Sequence, residues 1–255
     1  MKLVSFDLKA DFAFFRKPDT NNTINLSYNI IHKPALLGIL GAILGLEGYR
    51  EKGKLPAYYE ILKDIKVGIE PLQHDKGNYS KTVIKYTNTV GYANGGANFL
   101  TEELTLLAPA YRIYLLLDVN IEAHMQLDQY LKQGYAEYLP YFGKNEHTAW
   151  WEATSYCDYR FGHDVADPEE VYIRSIFQKQ QVLKDNSEAP FPDLFNVQAI
   201  EDPFLYFERL PLGFDLTLLQ YKMGDFAYSN YRIKNAHQLE NLVFLEALNT
   251  YVQLF

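Results

Sequence analysis

The segment HKPALLGILGAILGLEGYREK, residues 32–52, constrains this chain more than any other. It reads as a helix, yet it carries glycine at 38, 41, 45 and 48, and each glycine inside a helix costs about 0.5–1 kcal/mol relative to alanine. A 3,4,3 spacing aligns such residues along one helical face, where another backbone can approach closely. The stripe therefore serves either a tight helix-on-sheet contact in the protein's own core or a smooth face for RNA or a neighbouring subunit. Pro34 suits the first helical turn, and Gly48 with Lys52 and Lys54 suits the end. First-turn amides are unpaired donors at the positive end of the helix dipole and can seat a phosphate. His32 and Lys33 stand just before them.

Around this helix the pattern alternates between strands and loops. In KLVSFDLK, Val4, Phe6 and Leu8 oppose Ser5, Asp7 and Lys9, the signature of a half-buried strand. The stretch from Ala10 to His32 breaks at Pro18 and a run of Asp, Thr and Asn, which predicts a long loop. DIKVGIEPL (64–72) is a short strand closed by Pro71, and AYRIYLLLD (110–118) is a buried one. Between them, 73–100 is polar and rich in Gly and Asn, with a β-forming KTVIKYT and a turn-like ANGGAN, so it is expected to be a hairpin excursion. Residues 121–139 have helical spacing and end at Pro140. Strand, helix, strand, strand, helix is five sixths of a split β-α-β, ferredoxin-like unit. FLYFERLPLGFDLTLLQYK (204–222) is expected to pair with itself around Pro211 and Gly213, and 237–255 closes the chain as helix or strand.

Charge is uneven. Residues 1–100 hold 13 Lys+Arg against 9 Asp+Glu, whereas 101–255 hold 11 against 23. A basic N-terminal region on an acidic body is compatible with RNA, because phosphate responds to local potential. In the loop after the first strand Lys9, Phe12, Phe14, Arg16 and Lys17 interleave cations with rings, the pairing that stacks unpaired bases and holds phosphates; a solvated loop face is the plainer explanation. Among the aromatics are 21 Tyr, many in polar contexts. One cysteine, Cys157, excludes an internal disulfide framework and a cysteine-cluster metal site. The apolar run 35–46 is shorter than the roughly 20 residues a bilayer needs, and no signal-peptide layout is found, so a cytoplasmic protein is expected.

Three blocks, FDLKADFAFFRK, LSYNIIHKPALLGILGAILGLEGY and YLPYFGKNEH, in this order and spacing, resemble the CRISPR-associated Cas-five family, in the form found in type I-B systems. The resemblance covers about the first 50 residues and 138–147; FERLPLGF (207–214) is consistent with it. It implies an α+β chain: a ferredoxin-like (RRM-type) domain from 1–72 and 101–147, a β-hairpin thumb inserted at 73–100, and a β-rich extension at 148–255 packed on the same core. It also implies a non-catalytic subunit of the Cascade surveillance complex that caps the 5′ handle of crRNA, beside the repeated backbone subunit and the large PAM-reading subunit, touching target DNA only indirectly. No cofactor and no metal are expected. The resemblance maps RNA contacts onto Arg16, Lys17, the helix from His32 to Gly45, and the turn Gly143, Lys144 and Asn145. With the residue pattern, the expected RNA-binding residues are Lys9, Phe12, Phe14, Arg16, Lys17, His32 and Lys33, then Lys81 and Lys85 in the hairpin, and Lys144, Asn145 and His147 in the turn. The departure from the family lies before the helix, where IIHKPALLG has the lysine but no hydroxyl.

Two other functions remain open on the residues. Tyr28, His32 and Lys33 could supply the acid, base and cation of a metal-independent ribonuclease acting on CRISPR repeat RNA, as one branch of the same family, in type I-C systems, implies. A purely structural protein-interaction module, using the tyrosines, is the third. HDVADPEE (163–170) lacks the alternation and glycine of a calcium loop, and GILGAILG lacks the lysine and glycine turn of a phosphate loop.

Overall fold

A computed structural model describes residues 1–18, 23–88, 99–162, 170–179, 191–192, 201–218 and 220–255. The expected turn at ANGGAN and nearly all of HDVADPEE lie outside them. The described chain is α+β, mostly antiparallel, with few helices. Its main strands are β1 (Lys2–Ala10), β2 (Lys66–Leu72), β3 (Lys81–Asn88), β4 (Phe99–Leu107), β5 (Ala110–Leu117), β6 (Cys157–Tyr159), β7 (Leu205–Asp215), β8 (Gln220–Ser229), β9 (Leu242–Leu245) and β10 (Thr250–Gln253). The helices are α1 (Lys33–Leu44), α2 (Ala57–Leu62) and α3 (Glu122–Gln133). No helix among the described residues is long and apolar enough to cross a membrane.

The central sheet runs β6 and Ala149–Trp150, then β1, β5 and β2, with every pairing antiparallel. One face carries α1 and α3, and there Val4, Phe6 and Leu8 join Leu36, Leu40 and Leu127 in the main core. The other face is expected to meet water but does not. Leu3, Tyr114 and Leu116 pack there against Val243, Leu245, Val252 and Leu254, and even Ser5 is buried, bonded to the Tyr159 hydroxyl. Strands β9 and β10 close this face, so β1 is buried on both sides. The ambiguous C-terminal segment is thus a strand pair.

Helix α1 is shorter than its sequence suggests. It stops at Leu44, where Gly45 takes a left-handed cap (φ 72°) and Leu46 donates back to the Gly41 carbonyl. Gly48 lies beyond the helix, so the four glycines do not share one face. Short strands at Phe12–Ala13, Phe15–Arg16, Ile24–Asn25 and Ser27–Tyr28 replace the expected long loop. Strands β3 and β4 pair from Lys81↔Leu106 to Asn88↔Phe99. Strands β7 and β8 also pair, but β7 runs through Pro211 with a bulge there, and the turn falls after Asp215.

Candidate nucleic-acid interface

Three chain segments assemble around α1. In the first, Phe15 turns inward, 2% exposed, against Phe142 and His32, while alternation leaves its neighbour Arg16 in solvent. Ser27 Oγ fixes this arrangement by accepting the Phe15 amide at 2.9 Å. The second is the turn after Phe142. Gly143 adopts φ 84°, and a side chain there would drive into the Phe14 carbonyl, so only glycine lets the turn close on that loop. Lys144 follows, 2.8 Å from Glu103 and 3.0 Å from Glu146, with its ammonium 3.8 Å from the Tyr86 ring centre. Burial opposes its charge, but the hydrogen bonds to these two carboxylates outweigh burial and hold its pKa above the ordinary lysine range.

The third segment leads into α1. Asn29 and Ile30 donate their amides to the Glu208 carboxylate at 3.0 and 3.1 Å, and Lys17 pairs with the same group at 3.2 Å. The helix start differs from its expected role as a row of free amides. Pro34 has no N–H, Leu36 donates to the His32 carbonyl, and the His32 ring caps the helix by accepting the Ala35 amide at Nδ1, 3.2 Å away. Those donors are already used. His32 is 5% exposed, edge-on to Phe15, Tyr28 and Tyr221, and burial pushes its pKa down to about 3.

Along α1 runs a groove of about 910 Å³. Its floor is the small-residue side of the helix: Pro34, Ala35, Gly38, Ala42 and Gly45. Its walls are tyrosines 49, 58, 138, 141 and 221 with Phe214. Arg16, Arg50 and Lys144 stand at its margin, with the carboxylates of Glu47 and Glu103 beside the last two. Arg50 is paired with Glu47, whereas Arg16 pairs with no carboxylate among the described residues. The glycines divide their work. Gly41 admits Tyr58 of α2, since a Cβ would lie 2.5 Å from the Tyr58 Cβ, while Gly38 would keep 3.6 Å from the Tyr58 hydroxyl and leaves the floor open.

Of the residues singled out from sequence, Phe14, Arg16, His32 and Lys144 line this groove. The rest lie elsewhere. Lys33 is 9% exposed and donates to the Phe255 carbonyl at 2.9 Å, so it does not meet Arg16, and burial draws its pKa to about 8 against the opposing charge of Asp64. Lys17 lies over the Tyr28 ring at 5.0 Å besides its pairing with Glu208. Lys81 donates to Asn29 Oδ1, and Lys85 pairs with Glu102. Lys9 sits on β1 opposite Trp150. Phe12 is exposed near the buried His147 ring, and Asn145 is exposed on the turn. Tyr28, His32 and Lys33 do not converge, because the ammonium of Lys33 is turned to Phe255 while the two rings meet edge-on. The wall rings and Arg50 were missed by motif reasoning. The sequence signal for them was the abundance of tyrosines in polar contexts, which does not say which ones share a groove.

No protein-family model matches the chain, and no curated protein matches it. Solved structures do. A chain of Type III-B Cmr-beta bound to cognate target RNA and AMPPnP is similar at 12% identity over 99% of both chains, TM-score 0.51. A chain of Type III-B Cmr-beta bound to cognate target RNA is similar at 13% identity over 98% of both, TM-score 0.50. A CRISPR protein from Archaeoglobus fulgidus is similar at 10% identity over 98% of this chain and 97% of that one, TM-score 0.50. These neighbours are CRISPR-associated proteins, and at such identities what they share with this chain is the fold.

Proposed function

We propose that this chain is a non-catalytic, RNA-binding subunit of a CRISPR effector complex, similar to the Cas-five subunit of type I-B Cascade, and that the groove along α1 holds the 5′ handle of crRNA. The observation that carries this reading is the groove itself, a smooth helical floor between aromatic walls, with Arg16, which pairs with no carboxylate among the described residues, at its margin. Rings stack on unpaired bases for roughly 1–3 kcal/mol each, and cations hold the phosphates between them. The opposite face of the central sheet, where an RRM-type sheet would present rings to RNA, is covered by β9 and β10, which leaves the helix side. The fold shared with the CRISPR-associated structures above supports membership of such a complex.

In this reading β1, α1, β2, β5 and α3, from 1–72 and 101–147, form a ferredoxin-like (RRM-type) domain, and β6 from the 148–255 extension adds to the edge of its sheet beside β1. The β3–β4 pair extends the inserted thumb at 73–100, and 148–255 is the β-rich extension. The backbone and large subunits are direct partners, target DNA is reached through them, and the site of action is the cytoplasm. A non-catalytic role is supported by the setting of His32. A general base works best with a pKa near the working pH, whereas His32 is buried, holds a helix cap and is held near pKa 3.

The test is the anisotropy of a labelled crRNA handle titrated at several salt concentrations. Affinity should fall linearly with salt on logarithmic axes, and Arg16→Ala should weaken binding and reduce the slope by about 0.7, one single-strand phosphate contact. A flat salt response, or an Arg16→Ala protein that binds like the wild type, rejects the groove. Repeat RNA incubated with the protein in the absence of metal should stay intact.

A further inference from the structure

A second cavity, of about 380 Å³, adjoins the groove and shares Tyr49, Arg50 and Phe214 with it. Its inner lining is apolar, from Leu55, Phe214 and Leu216. Its rim is the loop Arg50–Lys54, which holds three cations and Glu51, with Asp215 as a second carboxylate across the opening. Arg50 and Lys54 are engaged by Glu47 and Glu51 at 2.6 Å; Lys52 pairs with no carboxylate among the described residues. The roof is the tip of the β7–β8 hairpin, where Leu216 is 60% exposed, and Tyr49, 63% exposed, stands between the two spaces. Large apolar side chains left in solvent around a concave space with the Lys52 ammonium at its edge mark a ligand site.

We infer that this cavity is a pocket for one unpaired nucleotide that continues the strand lying in the groove, with its base against Tyr49, Phe214 and Leu216 and its phosphate at Lys52. The inference rests on the RNA reading of the groove. Three observations select this occupant. The space is continuous with the groove, its volume admits a single nucleotide rather than a folded segment, and its apolar lining beside the Lys52 ammonium matches a base joined to a phosphate. Helix α1, 12 residues and so about 18 Å long, offers room for roughly five stacked nucleotides at about 3.4 Å each. The pocket takes the nucleotide that follows Tyr49.

The experiment measures the affinity of oligouridylates of 3 to 10 nucleotides for the wild type, for Leu216→Glu and for Lys52→Ala. Both substitutions lie at exposed positions outside the core, and a circular-dichroism melt checks that the fold is kept. For the wild type, affinity should rise with length as the groove fills and then gain a final step of about tenfold when the strand reaches the pocket. Leu216→Glu should abolish that step and leave the short oligomers unchanged. Lys52→Ala should lower the salt slope by about 0.7 for the long oligomers only. If short oligomers bind and Leu216→Glu lowers long and short alike, or neither, the pocket is rejected while the groove stands. If no oligomer binds at any length, the RNA reading falls and takes this inference with it.

Discussion

The imidazole of His32 accepts the Ala35 amide while buried among three rings, so a proton placed on Nδ1 would break the cap and leave a charge without solvent. Its folded pKa of about 3 lies below the ordinary 6.5, so the unfolded chain takes up the proton first as pH falls. Stability should therefore drop between pH 6.5 and about 3, by up to roughly 1.4 kcal/mol per pH unit for this one group, and be insensitive to it above 6.5. His32→Asn keeps a good capping acceptor and removes the titration. Urea midpoints at pH 7, 6, 5 and 4 should fall less steeply for the variant, with the remaining slope shared by His74, His124 and His147, whose pKa values burial also lowers, and near pH 4 by Asp118, Asp128 and Glu146, whose hydrogen bonds hold their pKa values down. Equal slopes would mean the ring is not held neutral. A histidine followed by lysine and proline looks from sequence like a ligand for phosphate. That it caps instead depends on the packing of Phe15, Tyr28 and Tyr221, which no local spacing encodes.

Among elements, α1 shows where periodicity informs and where it stops. Its helical nature and the Pro34 start could be read directly, because proline at the first turn and a long apolar run leave few alternatives. Its end could not, since Gly45 and Gly48 both suit a left-handed cap and only the docking of α2 and Glu137 decides between them. The β7–β8 turn was misplaced for a similar reason: Pro211 and Gly213 signal a turn, but the bulge absorbs them within the strand. The glycines of α1 now separate by experiment. Gly41→Ala must displace Tyr58, an overpacking that should cost about 1–3 kcal/mol in a denaturant melt. Gly38→Ala meets only ordinary contact and should be neutral or stabilising by up to about 1 kcal/mol. A melt in which Gly38→Ala is the worse of the two would show that the floor and the packing face have been exchanged.

At the scale of the molecule, the two ends of the sequence are interdependent. The alternation of β1 was visible from residues 2–10, but it suggested one wet face, because β9 and β10 that cover it lie more than 230 residues away. Glu208 makes a second such link, carrying the C-terminal hairpin to the loop that leads into α1. Glu208→Ala would leave the Asn29 and Ile30 amides and Lys17 without this acceptor and should cost about 3–5 kcal/mol, with Glu208→Gln losing less. Hydrogen exchange at those two amides should accelerate in step with the fall in the urea midpoint, and unchanged exchange would refute the link. A further consequence follows from the Gly143 turn, which grips the Phe14 carbonyl while Phe142 accepts the Phe14 amide. Two loops remote in sequence are thereby joined into one jamb of the groove, so a strand held as proposed would leave lengthwise or by the open side. Cross-linking the loops would leave both exits as wide as before.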